Sequence, residues 1–89
     1  MLRREVVICN KLGLHARAAA KFVTLAAQFR CDVWLARAGR EVNGKSIMGV
    51  MMLAASQGTP LDIVASGEDE VLALEQLEQL VDERFGETD

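Results

Sequence analysis

The sequence has few aromatic residues and no long apolar stretch. The first shortage restricts the composition of the core, and the second excludes a membrane-spanning protein. It contains one tryptophan, three phenylalanines and no tyrosine, so a hydrophobic core must be built mainly from aliphatic side chains and methionine. No stretch approaches the roughly 20 consecutive apolar residues of a membrane-spanning helix, and the N-terminus lacks the apolar core of a signal peptide. We therefore expect a cytoplasmic protein with no membrane partner.

Positive charge and metal-binding patterns are also scarce. Ten Lys and Arg stand against 13 Asp and Glu, whereas nucleic-acid binders need an excess of positive charge to displace counterions, so no nucleic-acid partner is expected. The two cysteines, Cys9 and Cys31, show no CxxC spacing and are interpreted as reduced, structural thiols. No metal-ligand spacing, glycine-rich nucleotide loop or Ser-His-Asp set is present, so neither a metal nor a cofactor is expected.

Short strand and helix signals alternate along the chain. β-Branched and alternating apolar residues predict strands over residues 6–9, 32–37, 40–43 and 61–65. Apolar residues at steps of three and four predict helices over 16–29, 47–53 and a segment that starts at residues 68–69. Four acidic residues of that last helix are expected on its solvated face: Glu75, Glu78, Asp82 and Glu83.

This order of elements favours a two-layer α+β domain. Short connections and hairpin turns indicate an antiparallel sheet with helices packed on one face. Trp34 and Val64 are expected on the other, open face. The chain of 89 residues is long enough for one domain and too short for two, so residues 1–89 are predicted to form a single domain.

His15, the only histidine, falls where the first helix is predicted to begin. Unpaired N–H groups and a partial positive charge make a helix N-terminus attractive to anions. The same field disfavours imidazolium and leaves the ring nitrogen with a free lone pair. We interpret His15 as a nucleophile that accepts a phosphoryl group, contacted by the N–H groups of Ala16 and Arg17 and by the Arg17 guanidinium. The alternative is a histidine that only caps the helix.

Ser46 stands at the N-cap position of the second helix, and capping alone would account for it. A phosphate there would be tolerated by the helix N-terminus while it adds roughly two negative charges to the surface, so Ser46 is also a candidate regulatory phosphosite. Val50 and Leu53 suit the core, which leaves Met48 and Met51 facing outward. These methionines are either irregular core filler or an adaptable docking patch for protein partners.

Two segments resemble the signatures of the HPr family, the histidine-containing phosphocarriers of the bacterial phosphoenolpyruvate-dependent phosphotransferase system. They are residues 10–17, NKLGLHAR, and residues 44–51, GKSIMGVM, and the resemblance extends over nearly the whole chain. It implies an open-faced β-sandwich: four antiparallel strands in the order 1-4-2-3, covered on one face by three helices. It also implies a phosphorylated protein intermediate rather than an enzyme with its own turnover.

The resemblance further implies partners and residue roles. Enzyme I, phosphorylated by phosphoenolpyruvate, would load His15 at Nδ1, and enzyme IIA would unload it for sugar uptake or its regulation. Arg17 matches the phosphate-steering residue, and Ser46 matches the target of the HPr kinase/phosphorylase of some bacteria. The matching docking surface comprises Ala20, Lys21, Ile47, Met48 and Met51.

One position departs from the family pattern, because Ala18 stands where the family usually has proline. Alanine suits the first turn of a helix at least as well, and this side chain supplies no phosphate ligand, so fold and chemistry should survive. The alanine run over 18–20 resembles regulatory, nitrogen-related carriers, whereas the segment around Ser46 resembles sugar-system carriers, so both branches stay open. We expect a monomer, since each partner must reach His15 in turn.

Overall fold

A computed structural model describes residues 1–88 of the chain. The strands are β1 (Leu2–Val7), β2 (Asp32–Arg37), β3 (Arg40–Asn43) and β4 (Pro60–Ser66). The helices are α1 (Ala16–Ala26), α2 (Ile47–Met52) and α3 (Glu70–Asp82), followed by a 3₁₀ turn over Arg84–Gly86. Within residues 1–88, no helix is long and apolar enough to span a membrane.

The four strands form one antiparallel sheet in the order β1-β4-β2-β3. The sequence of elements, the sheet order and the covering of one face by three helices are confirmed. Side chains alternate across each strand, so Val33 and Leu35 point into the core between sheet and helices. Phe22 of α1 and Leu77 of α3 meet them from the helical layer. The core is mainly aliphatic, as the scarcity of aromatic residues predicts.

One side chain on the open face of the sheet, Val64, is more deeply buried than expected. Trp34 and Val64 lie on this face as predicted, and they are direct cross-strand partners. Val64 is nevertheless only 1% exposed, because Trp34 flanks it on β2 and Arg3 flanks it on β1. A large aromatic side chain thus shields its neighbour on a face that no helix covers.

Two boundaries in the first third of the chain differ from the prediction. The strand expected at 6–9 starts at Leu2 and ends at Val7, because Leu2 pairs with Ala65 and the ladder with β4 includes charged residues. Helix α1 ends at Ala26 rather than Phe29. Beyond Ala26 the N–H of Phe29 donates to the carbonyl of Ala26 at 3.2 Å, and this tighter turn returns Phe29 to the core.

Both cysteines are free thiols. Cys31 is buried, and its burial, with a contribution from the Asp69 carboxylate, raises the pKa of the thiol to about 11. It therefore stays protonated and poorly reactive at neutral pH, as a structural thiol should. Cys9 is only half-buried, so it is less embedded in the core than a structural thiol is expected to be.

Candidate functional site

A short loop between β1 and α1 places His15 at the N-terminus of α1. The Leu14 N–H donates to the carbonyl of Ala55 at 2.8 Å, which fastens this loop to the segment after α2. Gly13 has φ +68°, a conformation that glycine adopts without steric cost. Leu14 is buried in the core, and the neighbouring His15 side chain is 27% exposed. The loop therefore presents the imidazole to solvent from a fixed backbone.

His15 occupies the N-cap position with an extended backbone, but its side chain makes no capping hydrogen bond. The His15 side chain is therefore not occupied in capping the helix. Its carbonyl accepts from the N–H of Ala19 at 2.9 Å, the first bond of the helix. The N–H groups of Ala16 and Arg17 precede that bond and have no partner within the helix, so they remain available to an anion.

Two cationic side chains lie on the same side of α1 as His15. Arg17 is exposed, and among residues 1–88 its guanidinium makes no hydrogen bond or ion pair. The Lys21 ammonium, one turn along, donates to the carbonyl of Phe85 at 2.6 Å. A surface depression joins these groups, and it is lined by Leu12, His15, Ala16, Arg17, Lys21, Gly86, Glu87 and Thr88. Two cationic groups thus line the depression that holds the imidazole.

Glu87 contacts His15 directly, although the sequence alone does not predict this contact. After α3 the chain turns through Arg84 and Phe85, both with positive φ, and returns to the start of α1. There the Glu87 carboxylate contacts Nε2 of His15. This contact holds the pKa of Glu87 below its usual range, and a hydrogen bond from Asn10 adds to the effect. No local pattern reveals a pair 72 residues apart.

Ser46 is the N-cap residue of α2, as predicted. Its Oγ accepts a hydrogen bond from the N–H of Gly49 at 3.1 Å, and the side chain is half-buried. The two residues that follow, Ile47 and Met48, are 44% and 75% exposed. A charge added at Ser46 would therefore lie beside apolar side chains that face solvent.

The predicted docking surface is exposed across two adjacent helices. Met48 and Met51 face solvent while Val50 and Leu53 are buried, so the methionines are not core filler. Helices α1 and α2 contact each other, which brings Ala20 and Lys21 to the same side of the molecule as the α2 residues. The structure adds two exposed apolar side chains that the sequence analysis did not select: Leu12 and Met52.

The acidic residues of α3 lie apart from the depression around His15. Of the four acidic residues expected on the solvated face of α3, Glu78 pairs with Arg4 at 2.9 Å and the other three are exposed. Within residues 1–88, no group of three or more His, Cys, Asp or Glu side chains is placed to hold a metal ion.

Comparison with known proteins gives concordant results. The family described as PTS HPr component phosphorylation site matches residues 2–83. Phosphocarrier protein HPr of Xylella fastidiosa is 53% identical over 87 residues, which cover 98% of each chain. The structure of HPr-C-His from Thermoanaerobacter tengcongensis superposes with a TM-score of 0.96 at 43% identity, over 100% of both chains. The Bacillus subtilis catabolite repression protein Crh, crystallised as a domain-swapped dimer, is 49% identical with a TM-score of 0.77, over 94% of this chain and 97% of Crh.

Proposed function

This chain belongs to the HPr family of phosphocarriers of the phosphotransferase system, and from that premise we propose that His15 carries the phosphoryl group. It would accept the group from phosphorylated enzyme I and pass it to an enzyme IIA. The observation that supports this role best is the position of the only histidine. Its ring lies beside N–H groups that have no partner within the helix and shares a depression with the Arg17 guanidinium, which makes no bond within residues 1–88, while Nε2 is occupied by Glu87.

The proposed transfer is a direct displacement at phosphorus. The Nδ1 lone pair of His15 forms the new N–P bond while the bond between phosphorus and the donor breaks, and that electron pair leaves with the donor. Such transfers need alignment and stabilisation of the phosphoryl oxygens more than they need further covalent chemistry. The N–H groups of Ala16 and Arg17 and the planar Arg17 guanidinium supply both. The chain is then an intermediate carrier, with no turnover of its own.

The exposed side chains on α1 and α2 supply the proposed docking surface for both partners. Ile47, Met48 and Met51 offer flexible apolar contacts, which adapt to differently shaped surfaces. Ala20 leaves room for a close approach near His15, and Lys21 adds charge at the rim. We propose that the monomer carries out the transfer, because the depression around His15 must face each partner in turn.

Phosphate uptake by the wild-type protein tests the assignment of His15. Incubation with phosphoenolpyruvate and the cognate enzyme I should add one phosphate, measured by intact-protein mass spectrometry. Because a phosphoramidate is labile in acid and stable in base, the added mass should disappear in acid only. Fragmentation in base, or NMR of the imidazole, should locate it at His15. A phosphate at another residue, or no uptake with an enzyme I that labels another HPr, would contradict the proposal.

Ser46 supports a second, regulatory function for the same surface. A phosphate on Oγ would keep acceptor oxygens near the N–H of Gly49 and the N-terminus of α2, so the helix should tolerate it. It would also place about two negative charges next to Ile47 and Met48. We propose that an HPr kinase/phosphorylase modifies Ser46 and that the charge weakens docking. The similarity to Crh, a protein named for catabolite repression, agrees with a regulatory role.

The Ser46→Asp variant should bind enzyme I about tenfold more weakly than wild type, because its carboxylate must be desolvated against an apolar contact. Ser46→Ala should bind normally, although it loses the cap bond and about 1 kcal/mol of unfolding free energy. Isothermal titration calorimetry and urea unfolding measure the two effects. Gln76→Glu, which adds one charge at an exposed position of α3, is the matched control. Equal affinities for Ser46→Asp and Gln76→Glu would contradict the regulatory function.

A further inference from the structure

A hydrogen-bonded chain of three side chains lies behind the imidazole. The Glu87 carboxylate contacts Nε2 of His15 through Oε2, and its Oε1 accepts from Nδ2 of Asn10 at 3.0 Å. The same Asn10 nitrogen donates to the carbonyl of Gly13 at 2.8 Å. Asn10 is fully buried, and the Glu87 side chain is 15% exposed. These groups therefore interact where water competes little for their hydrogen bonds.

The chemistry of these groups determines which one donates in each of the three hydrogen bonds. A carbonyl only accepts, so Asn10 must turn its NH₂ group toward Gly13, and the second hydrogen of that group points to Oε1 of Glu87. The Asn10 Oδ1 finds no partner among residues 1–88. In the opposite orientation Oδ1 would face two acceptors, the carbonyl of Gly13 and Oε1 of Glu87. An ionised carboxylate has no hydrogen to donate. In the contact between Glu87 and His15, the imidazole nitrogen must therefore be the donor.

Glu87 reaches His15 from a backbone that is fastened in place. The Lys21 ammonium holds the carbonyl of Phe85 at 2.6 Å, and the Phe85 side chain is buried. The Glu87 N–H donates to the carbonyl of Arg84 at 2.9 Å. A packed aromatic ring and two hydrogen bonds thus position the carboxylate in advance, which reduces the entropy lost when it engages the imidazole.

We propose that Glu87 is a positioning residue that keeps the imidazole proton of His15 on Nε2 and so leaves the lone pair on Nδ1. This proposal rests on the proposed role of His15 as the phosphoryl acceptor. During transfer the Nδ1–P bond forms, the donor keeps the electron pair of the bond that breaks, and the proton stays on Nε2. The ring becomes cationic at that moment, and the Glu87 carboxylate balances its charge, as carboxylates do beside catalytic histidines.

Glu87→Gln tests the proposal because the amide keeps the shape of the side chain and reverses one hydrogen bond. Asn10 still requires an acceptor, so the new carbonyl oxygen should take the place of Oε1 and the NH₂ group should face Nε2. The imidazole should then accept at Nε2 and carry its proton on Nδ1, where it blocks the nucleophile. Glu87→Ala imposes neither tautomer. The expected order of phosphorylation rates is wild type, then Glu87→Ala, then Glu87→Gln.

Two measurements separate this proposal from the proposed function. Imidazole ¹⁵N shifts of the unphosphorylated proteins report the tautomer, which should change from Nε2–H in wild type to Nδ1–H in Glu87→Gln. Rapid-quench phosphorylation should slow by at least about tenfold in that variant, the direction expected for a wrong tautomer, and Glu75→Gln should match wild type. A wild-type tautomer and rate in Glu87→Gln, or a Glu87→Ala variant that is phosphorylated more slowly than Glu87→Gln, would overturn the proposal. A changed tautomer in a protein that takes no phosphate at His15 would instead contradict the proposed function.

Discussion

Replacement of His15 by alanine will abolish phosphate uptake from phosphoenolpyruvate and enzyme I while the fold stays intact. The chain has no second histidine that could accept the group. Lys21 is bonded to the carbonyl of Phe85, and an ammonium has no free lone pair at neutral pH. The His15 side chain lies at the surface of the core rather than inside it, so its loss should shift Tm by no more than a few degrees.

Intact-protein mass spectrometry after prolonged incubation measures the loss, and circular dichroism on heating measures the stability. Lys11→Ala is a suitable control because Lys11 is exposed on the same loop, so this variant should label like wild type. Acid-labile phosphate on His15→Ala would show that another residue carries the group. Unfolding of His15→Ala at room temperature would show instead that the imidazole is chiefly structural, and that result too would contradict the assignment.

Elements bounded by local signals could be predicted from the sequence. The bounds of β2 and β3 agree with the prediction because Ala38 and Gly39, both with positive φ, end one strand and begin the next within two residues. Ser46 was found because an N-cap is a local property of a serine before a helix. The placement of His15 and Arg17 at the start of α1 is predictable for the same reason, since the field of a helix N-terminus acts on the residues of its own first turn.

Features that depend on distant parts of the chain escaped the sequence analysis. The first residues of β1 are charged, and they form a strand only because β4 provides a ladder some 60 positions away, where Leu2 meets Ala65. Val64 is buried on the open face because Trp34 covers it from the neighbouring strand. Glu87 joins His15 only after the 3₁₀ turn has reversed the chain, and nothing in its own segment indicates that destination.

Gly13→Ala should produce a large loss of stability in the loop that carries the site. Gly13 has φ +68°, and a Cβ there would lie 2.5 Å from the carbonyl oxygen of Ala55 and 2.9 Å from Cα of Ser56. Both are backbone atoms, so relief requires the loop to move away and to lose the bond from Leu14 to Ala55. Left-handed backbone costs an alanine about 1–2 kcal/mol and overpacking about 1–3 kcal/mol, which together give about 2–5 kcal/mol.

Gly39→Ala separates the two causes of that loss. Gly39 has φ +82°, but a Cβ there would meet nothing within 4 Å, so this variant should lose only the backbone contribution of about 1–2 kcal/mol. Urea unfolding compares the two variants, and phosphorylation by enzyme I reports on His15. Because the loop that Gly13 tightens also fixes the backbone of His15, Gly13→Ala should phosphorylate more slowly even where it is fully folded, whereas Gly39→Ala should not. Equal losses of stability in the two variants would show that the contact with Ala55 carries no cost. An unchanged phosphorylation rate in folded Gly13→Ala would show that the loop does not position the imidazole.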